Sequence, residues 1–283
     1  MPEQHGALAT FAPNLFEGRT VLVTGGGRGI GRRTALAFGS LGANVVIGSR
    51  NPDNLDAAAL EMAELGIDCL AVPTNIRETE DVDHLLAQGI ERFGGIDFLV
   101  NNAGGQFPAP PGAISDGGWR AVIDLNLNGT WNVCQRAIPH MIARSFGSIV
   151  NIVHNYALDR GAPPFAHSGA ARAGVVNLTK TLAVYLAQHG ITVNALAPGA
   201  VSTQGFREEE LAQLNDDIEA QEARTLKDIP AGRVCDPDEI AASIVFLCSP
   251  AARYISGTTV IADGGLQLGN WNAILDEQPD YGG

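Results

Sequence analysis

The sequence predicts an α/β fold, one doubly wound domain on a parallel sheet of seven strands. Three observations predict it. Short β-rich runs alternate with helix-length stretches along the chain. A glycine-rich loop follows the first run and opens the first helical stretch. No linker rich in Pro, Gly or Ser divides the 283 residues, a length that one α/β domain accommodates with an ample core.

The first strand is read at Thr20–Thr24, and a helix follows over about Gly29–Leu41. Asn44–Gly48 and Cys69–Val72 are the next strands, separated by a helix over Leu55–Leu65. A helix over Thr79–Phe93 leads to a strand at Ile96–Val100, and one long helix is predicted over Gly118–Arg144. Ser148–Val153, Thr192–Ala195 and Thr258–Ile261 complete the strands, with helices over Ser168–His189 and Pro237–Leu247. The alternating core spans about residues 17–265, and residues 266–283 form a tail outside it. Residues 203–232 are an insert after the sixth strand. In an open α/β sheet ligands sit beyond the carboxyl ends of the strands, so this insert is expected to be a helical lid. Phe206, Leu211, Leu214, Ile218 and Leu226 could give it an apolar wall, or pack onto the core instead.

Composition excludes several classes of function. The net charge of −13 argues against a nucleic-acid partner, whose phosphates need a basic face. The apolar runs are strand-sized, too short to span a bilayer. The opening MPEQHGALAT lacks a basic segment followed by an apolar one, so a cytoplasmic protein is expected. Cys69, Cys134, Cys235 and Cys248 form no C-x-x-C pair and read as reduced thiols; no metal site is expected.

The loop Thr24-Gly25-Gly26-Gly27-Arg28-Gly29-Ile30-Gly31 lies between strand and helix. Its glycines let backbone approach a pyrophosphate, and the helix N-terminus offers free N–H groups. The second strand ends Gly48-Ser49-Arg50, where an acidic residue would mark NAD. A guanidinium there can fork onto a 2′-phosphate, so Ser49, Arg50 and Arg28 point to NADPH.

Asn101-Asn102-Ala103-Gly104, Asn126 in Asp-Leu-Asn-Leu-Asn-Gly, and Pro198-Gly199 then follow in order. With the glycine-rich loop, these motifs resemble the short-chain dehydrogenase/reductase family over about Glu17–Gly265. The resemblance implies a Rossmann-like subunit, commonly a homotetramer, with nicotinamide at the carboxyl edge of the sheet. It places Gly25, Arg28, Gly29, Ile30, Asn102, Ala103 and Gly104 along the nucleotide. Asn75 and Ile76 fall where the family holds adenine, though Asp is commoner than Asn there. Pro198, Gly199, Val201 and Thr203 fall beside the nicotinamide. Ala262-Asp263-Gly264-Gly265 resembles a segment that often lies near a subunit interface.

Where the family usually carries Tyr-x-x-x-Lys, this chain reads Ser168-Gly169-Ala170-Ala171-Arg172. The spacing keeps both side chains on one helix face but loses the acid. A serine hydroxyl is a poor acid near neutral pH, and arginine exchanges no protons usefully while still able to hold ribose hydroxyls. His167–Gly174 and, apart from Ala103, Asn102–Phe107 resemble the peroxisomal trans-2-enoyl-CoA reductases. The 2,4-dienoyl-CoA reductases carry their Tyr just after strand five, where Tyr156 lies if one residue is inserted. The end, Tyr281-Gly282-Gly283, is not a peroxisomal signal.

Reducing a C=C conjugated to a thioester develops charge on the carbonyl oxygen, which needs hydrogen-bond donors more than a delivered proton. Tyr156, Asn126 and Ser168 are the candidate donors, with Arg172 on the nicotinamide ribose. The expected function is therefore NADPH-dependent reduction of an enoyl or dienoyl thioester. Two alternatives stand beside it: a carbonyl reductase or alcohol dehydrogenase with Tyr156, His154 or His167 as a relocated acid, and a non-catalytic NADPH-binding member.

Overall fold

The computed structural model describes residues 6–203 and 218–269. Its seven strands are β1 (Thr20–Thr24), β2 (Asn44–Ser49), β3 (Cys69–Pro73), β4 (Phe98–Asn101), β5 (Gly147–Ile152), β6 (Ile191–Pro198) and β7 (Thr259–Ala262). They form one parallel sheet in the order β3-β2-β1-β4-β5-β6-β7. The chain runs outward from β1 to β3 and then returns to place β4 beside β1. A crevice opens at such a reversal, beyond the strand ends. Thr24 is paired with Gly48 on one side and Asn101 on the other, which puts the ends of the three strands at one level.

Parallel neighbours need crossovers, and helices supply them. They are α1 (Gly29–Ser40), α2 (Pro52–Glu64), α3 (Thr79–Phe93), α4 (Asp116–Ile123), α5 (Gly129–Arg144), α6 (Ala166–Leu186), α7 (Ile218–Asp228) and α8 (Pro237–Cys248). Side chains alternate across a strand. Val21 and Val23 therefore join one core with Ala35, Phe38, Leu55 and Ile244 of α1, α2 and α8. Leu22 joins the opposite core with Leu85, Val133, Met141 and Leu186 of α3, α5 and α6. Arg33 on α1 forms a bidentate ion pair with Asp238 on α8, tying two helices of the first layer.

Three boundaries differ from the sequence reading, each for a physical reason. Ile96 is buried but lies outside the sheet ladder, because its N–H donates to Nε2 of His140 at 3.4 Å. β6 extends through Pro198, and all eight of its residues are buried, so its length follows from burial on both faces. The single helix expected over Gly118–Arg144 divides into α4, a π-helical turn at Asp124–Asn128, and α5. The Asn126 side chain donates to the Val122 carbonyl at 2.9 Å, inserting a side-chain bond into the ladder where the turn widens.

The lid expected over residues 203–232 contains α7. Phe206, Leu211 and Leu214 lie outside the described residues. Among the described residues no helix is long and apolar enough to cross a membrane.

Candidate active site

Two adjoining clefts open along the carboxyl edge of the sheet. The first, about 240 Å³, lies over the ends of β1, β2 and β4. Gly25, Arg28, Gly29 and Ile30 border it on one side, and Ser49, Arg50, Asn75 and Ile76 at its far end. Asn102, Ala103, Gly104 and Thr203 complete its predicted lining; Gly48, Thr74 and Leu125 also border it. The second cleft, about 210 Å³, shares Ile30, Asn102, Gly104 and Thr203 with the first. It runs past Asn126, Ser168, Arg172, Pro198, Gly199 and Val201, and also Gln106 and His154. Every residue predicted to hold a nucleotide thus borders one of two connected spaces.

The first cleft is built for close backbone approach. Gly25 has φ +67°, a left-handed conformation that other residues rarely adopt. The backbone N–H groups of Asn102 and Ala103 both donate to Thr24 Oγ1 at 3.0 Å. The Asn102 amide donates back to the Thr24 and Gly25 carbonyls, so the ends of β1 and β4 are locked together. A Cβ on Gly31 would overlap the Gly25 carbonyl and lie 2.5 Å from Asn102 Nδ2. Arg28, Gly29 and Ile30 at the start of α1 border the cleft, so the positive end of the helix lies at its edge. This glycine cradle at a helix N-terminus fits a dinucleotide pyrophosphate.

In the second cleft, α6 presents Ser168 and Arg172 one turn apart on one face. Both are buried, Arg172 to 6% exposure. Its Nη1 donates to the Ile152 carbonyl at 2.7 Å, and its Nε has no partner. A Cβ on Gly104 would overlap its Nη2, so the guanidinium lies against the Asn-Ala-Gly turn that both clefts share. Burial lowers its pKa to about 10, and the nearby Tyr156 opposes that shift, so it remains a cation at neutral pH. A buried cation with an unused donor at the junction of the clefts fits a ribose hydroxyl.

Two of the candidate donors sit differently from the sequence reading. Both hydrogens of the Asn126 amide are spent on backbone, one to Gly105 O at 2.8 Å and one to Val122 O. Its Oδ1 accepts from Gly105 N at 3.2 Å. The expectation that Asn126 donates directly to substrate is therefore corrected: Asn126 pins the Gly105 turn. Tyr156 does not border either cleft; its hydroxyl receives a bond from Gln106 Nε2 at 3.3 Å and lies 3.3 Å from His154 Nε2. Its ring is stacked between those of His154 (4.2 Å) and Phe165 (5.7 Å). Because the rings are nearly parallel, the hydroxyl meets the imidazole over its face, a weaker contact than an in-plane bond. His154 and Gln106, not Tyr156, front the cleft.

His167, weighed in the sequence as an acid, is buried at the start of α6 with its ring edge against Phe107, and borders neither cleft. His154 reads as a loop residue in the sequence; its place beside the cleft comes from the turn after β5, which no local pattern announces. Burial, aided by the charge of Arg172, pushes its pKa from 6.5 down to about 3. The folded state then binds fewer protons than the unfolded state between those values. Stability from neutral His154 is whole above pH 6.5 and is lost as pH falls towards 3. A His154→Gln variant should show a shallower fall in urea midpoint across that window than the parent. Parallel curves would remove His154 from the acid sensitivity.

Among the described residues no cluster of three or more His, Cys, Asp or Glu could hold a metal ion.

Residues 25–267 match the family described as "Enoyl-(Acyl carrier protein) reductase". A Bacillus subtilis (strain 168) protein named "Probable 2,4-dienoyl-CoA reductase [(2E)-enoyl-CoA-producing]" is 36% identical over 255 residues, covering 89% of this chain and 98% of its own. A 3-oxoacyl-[acyl-carrier-protein] reductase of Thermotoga maritima is 36% identical over 253 residues, covering 89% of this chain and 99% of its own. The crystal structure of a short chain dehydrogenase from Bacillus anthracis superposes with a TM-score of 0.82 at 38% identity, over 93% of this chain and 99% of that one. With a parallel sheet reversing at β1 and β4, a glycine cradle at that reversal and these relatives along nearly its whole length, the chain belongs to the short-chain dehydrogenase/reductase family and is an oxidoreductase of the nicotinamide-binding kind.

Proposed function

We propose that this oxidoreductase uses NADPH to reduce the carbon–carbon double bond of an enoyl or dienoyl thioester. The observation that carries the reading is the buried Ser168–Arg172 pair on the cleft face of α6. A ketone takes up its electrons as an alkoxide, a strong base that demands a proton from a matched acid. A conjugated thioester takes them up as an enolate, whose oxygen needs only preorganised donors. Arg172 stays charged and Ser168 has a far higher intrinsic pKa than a phenol, so the pair suits the second task. The name of the Bacillus subtilis relative supports the same chemistry.

A bound NADPH supplies the two electrons and one hydrogen that the double bond takes up. Arg172 holds the nicotinamide ribose, and Ser168 donates to the thioester oxygen. Asn126 keeps the Gly105 turn in place beside that oxygen. His154 and Gln106 front the cleft with the Tyr156 hydroxyl behind them, so the α-carbon takes its proton from water, which Tyr156 can resupply from behind. With nicotinamide deuterated at its reactive carbon, an enoyl thioester should give a saturated thioester with deuterium at the β-carbon, and a dienoyl thioester a mono-unsaturated one with deuterium at the β- or δ-carbon. A Ser168→Ala variant should slow that transfer by about a hundred- to a thousandfold, the scale of one lost oxyanion donor. Deuterium found only on a carbinol carbon, with a keto thioester as substrate, would overturn the proposal. That outcome is the competing reading favoured by the Tyr156–His154 contact, a relocated acid for ketone reduction.

The preference for the phosphorylated nucleotide rests on the end of β2. Ser49 and Arg50 border the first cleft there, no carboxylate lies at either position, and Arg50 is exposed. Arg50→Ala should reduce the ratio of NADPH to NADH turnover by about ten- to a hundredfold, the worth of a hydrogen bond to a charged group. An unchanged ratio would take Arg50 out of the site.

A further inference from the structure

Asp263 follows β7 and is buried to 7% exposure, yet no part of the mechanism uses it. Its Oδ2 accepts from Asn155 Nδ2 at 3.2 Å and from Gln267 N at 2.9 Å, and its Oδ1 from Gly265 N at 2.9 Å. Asn155, itself 2% exposed, stands between His154 and Tyr156 in the short turn after β5. The same loop is tied a second time, by Arg160 Nη1 to the Leu266 carbonyl at 2.6 Å.

Two other borders of the substrate space converge on the same turn. Gly199 N donates to Ala262 O at 3.0 Å, and a Cβ on Gly199 would lie 2.8 Å from the Cα and Cβ of Asp263. Pro198 and Gly199 are therefore pressed against this residue while bordering the cleft. Ala231 N donates to Gly264 O at 3.0 Å, where the chain returns from α7. Gly264 and Gly265 have φ +63° and +86°, consecutive left-handed residues that let the chain fold back under the carboxylate.

We infer that Asp263 is a positioning residue: through Asn155 it fixes the His154–Tyr156 loop against the Pro198–Gly199 wall, and so sets the width of the substrate cleft. Neither Asp263 nor Asn155 borders that cleft. A carboxylate serves because it accepts three bonds at once, two from backbone and one from the loop. The Asn155–Asp263 bond joins two side chains, so substitution at either end tests it. The role rests on this cleft being the active site, not on which thioester enters it.

The test exchanges the two polar groups. Asn155→Asp places two carboxylates at hydrogen-bond distance, where like charges repel. With whichever CoA thioester the parent reduces, kcat should fall about tenfold or more, as displaced catalytic groups do. The NADPH dissociation constant should stay within about twofold, since the glycine cradle is untouched. Adding Asp263→Asn restores a donor facing the loop carboxylate but gives up the bond that Gln267 N now makes to Oδ2, so it should recover only part of kcat. Amide hydrogen exchange over residues 154–160 should quicken in the single variant and slow again in the double, a readout that needs no turnover. A bond of merely structural value would lower the melting temperature and leave kcat per folded enzyme unchanged. If Asn155→Asp does not fold, Asn155→Ala removes the amide without adding charge, and should move kcat and exchange in the same directions. Parental kcat and exchange in the folded Asn155 variants would overturn the proposal. Reduction of a keto thioester in place of an enoyl one would change the proposed reaction and leave this comparison intact.

Discussion

Replacing Arg172 with alanine is expected to lower kcat/KM by about thirty- to a hundredfold, the loss of a charged hydrogen bond to bound nucleotide. Two consequences combine. The guanidinium disappears from the junction of the clefts, and the Ile152 carbonyl loses the 2.7 Å bond it now accepts. The second effect costs stability as well, so melting temperature should be measured beside turnover. Arg172→Lys separates the contributions. Lysine keeps the charge but not the planar fork, which here spans Ile152 on one side and the Gly104 turn on the other. It should fall between the parent and the alanine variant in NADPH affinity. A Lys variant more active than the parent on a keto thioester would show a site nearer to proton transfer than to enolate binding. An alanine variant within about threefold of the parent would remove Arg172 from nucleotide binding.

The second large effect is expected at Gly31. An alanine Cβ there meets the Gly25 carbonyl and the Asn102 amide, which bond each other across the ends of β1 and β4. The first is backbone, and the second, though a side-chain end, is held by bonds to the Thr24 and Gly25 carbonyls, so the cradle itself must shift. Gly31→Ala should weaken NADPH binding more than tenfold and cost about 1–3 kcal/mol of stability, the usual scale of overpacking. Gly112→Ala is the control, because a Cβ there meets nothing within 4 Å. Nucleotide titration by fluorescence, with thermal melts, checks both.

The parts legible in the sequence were those whose physics is local or periodic. Alternating β-rich and helical stretches mark all seven strands, and the strand–glycine loop–helix unit marks the nucleotide cleft before any geometry is known. The spacing of Ser168 and Arg172 is likewise enough to put both on one helix face. Features made by contacts distant in sequence were not legible. The π-helical turn at Asp124–Asn128 arises because Asn126 reaches both Val122 and a glycine turn twenty-one positions away. Tyr156 stands behind His154 and Gln106, with its ring stacked on those of His154 and Phe165, a packing that joins two separate turns. The Asn155–Asp263 bond joins residues 108 positions apart, and nothing in either neighbourhood signals the other.

The distinction between the two chemistries open to this cleft is a matter of substrate. The most direct measurement follows NADPH oxidation against crotonyl-CoA, a 2,4-dienoyl-CoA and acetoacetyl-CoA under one set of conditions. Arg172 and Ser168 in place of a phenol and an amine predict turnover of the unsaturated thioesters and little or none of the keto thioester. Turnover confined to acetoacetyl-CoA would contradict the account.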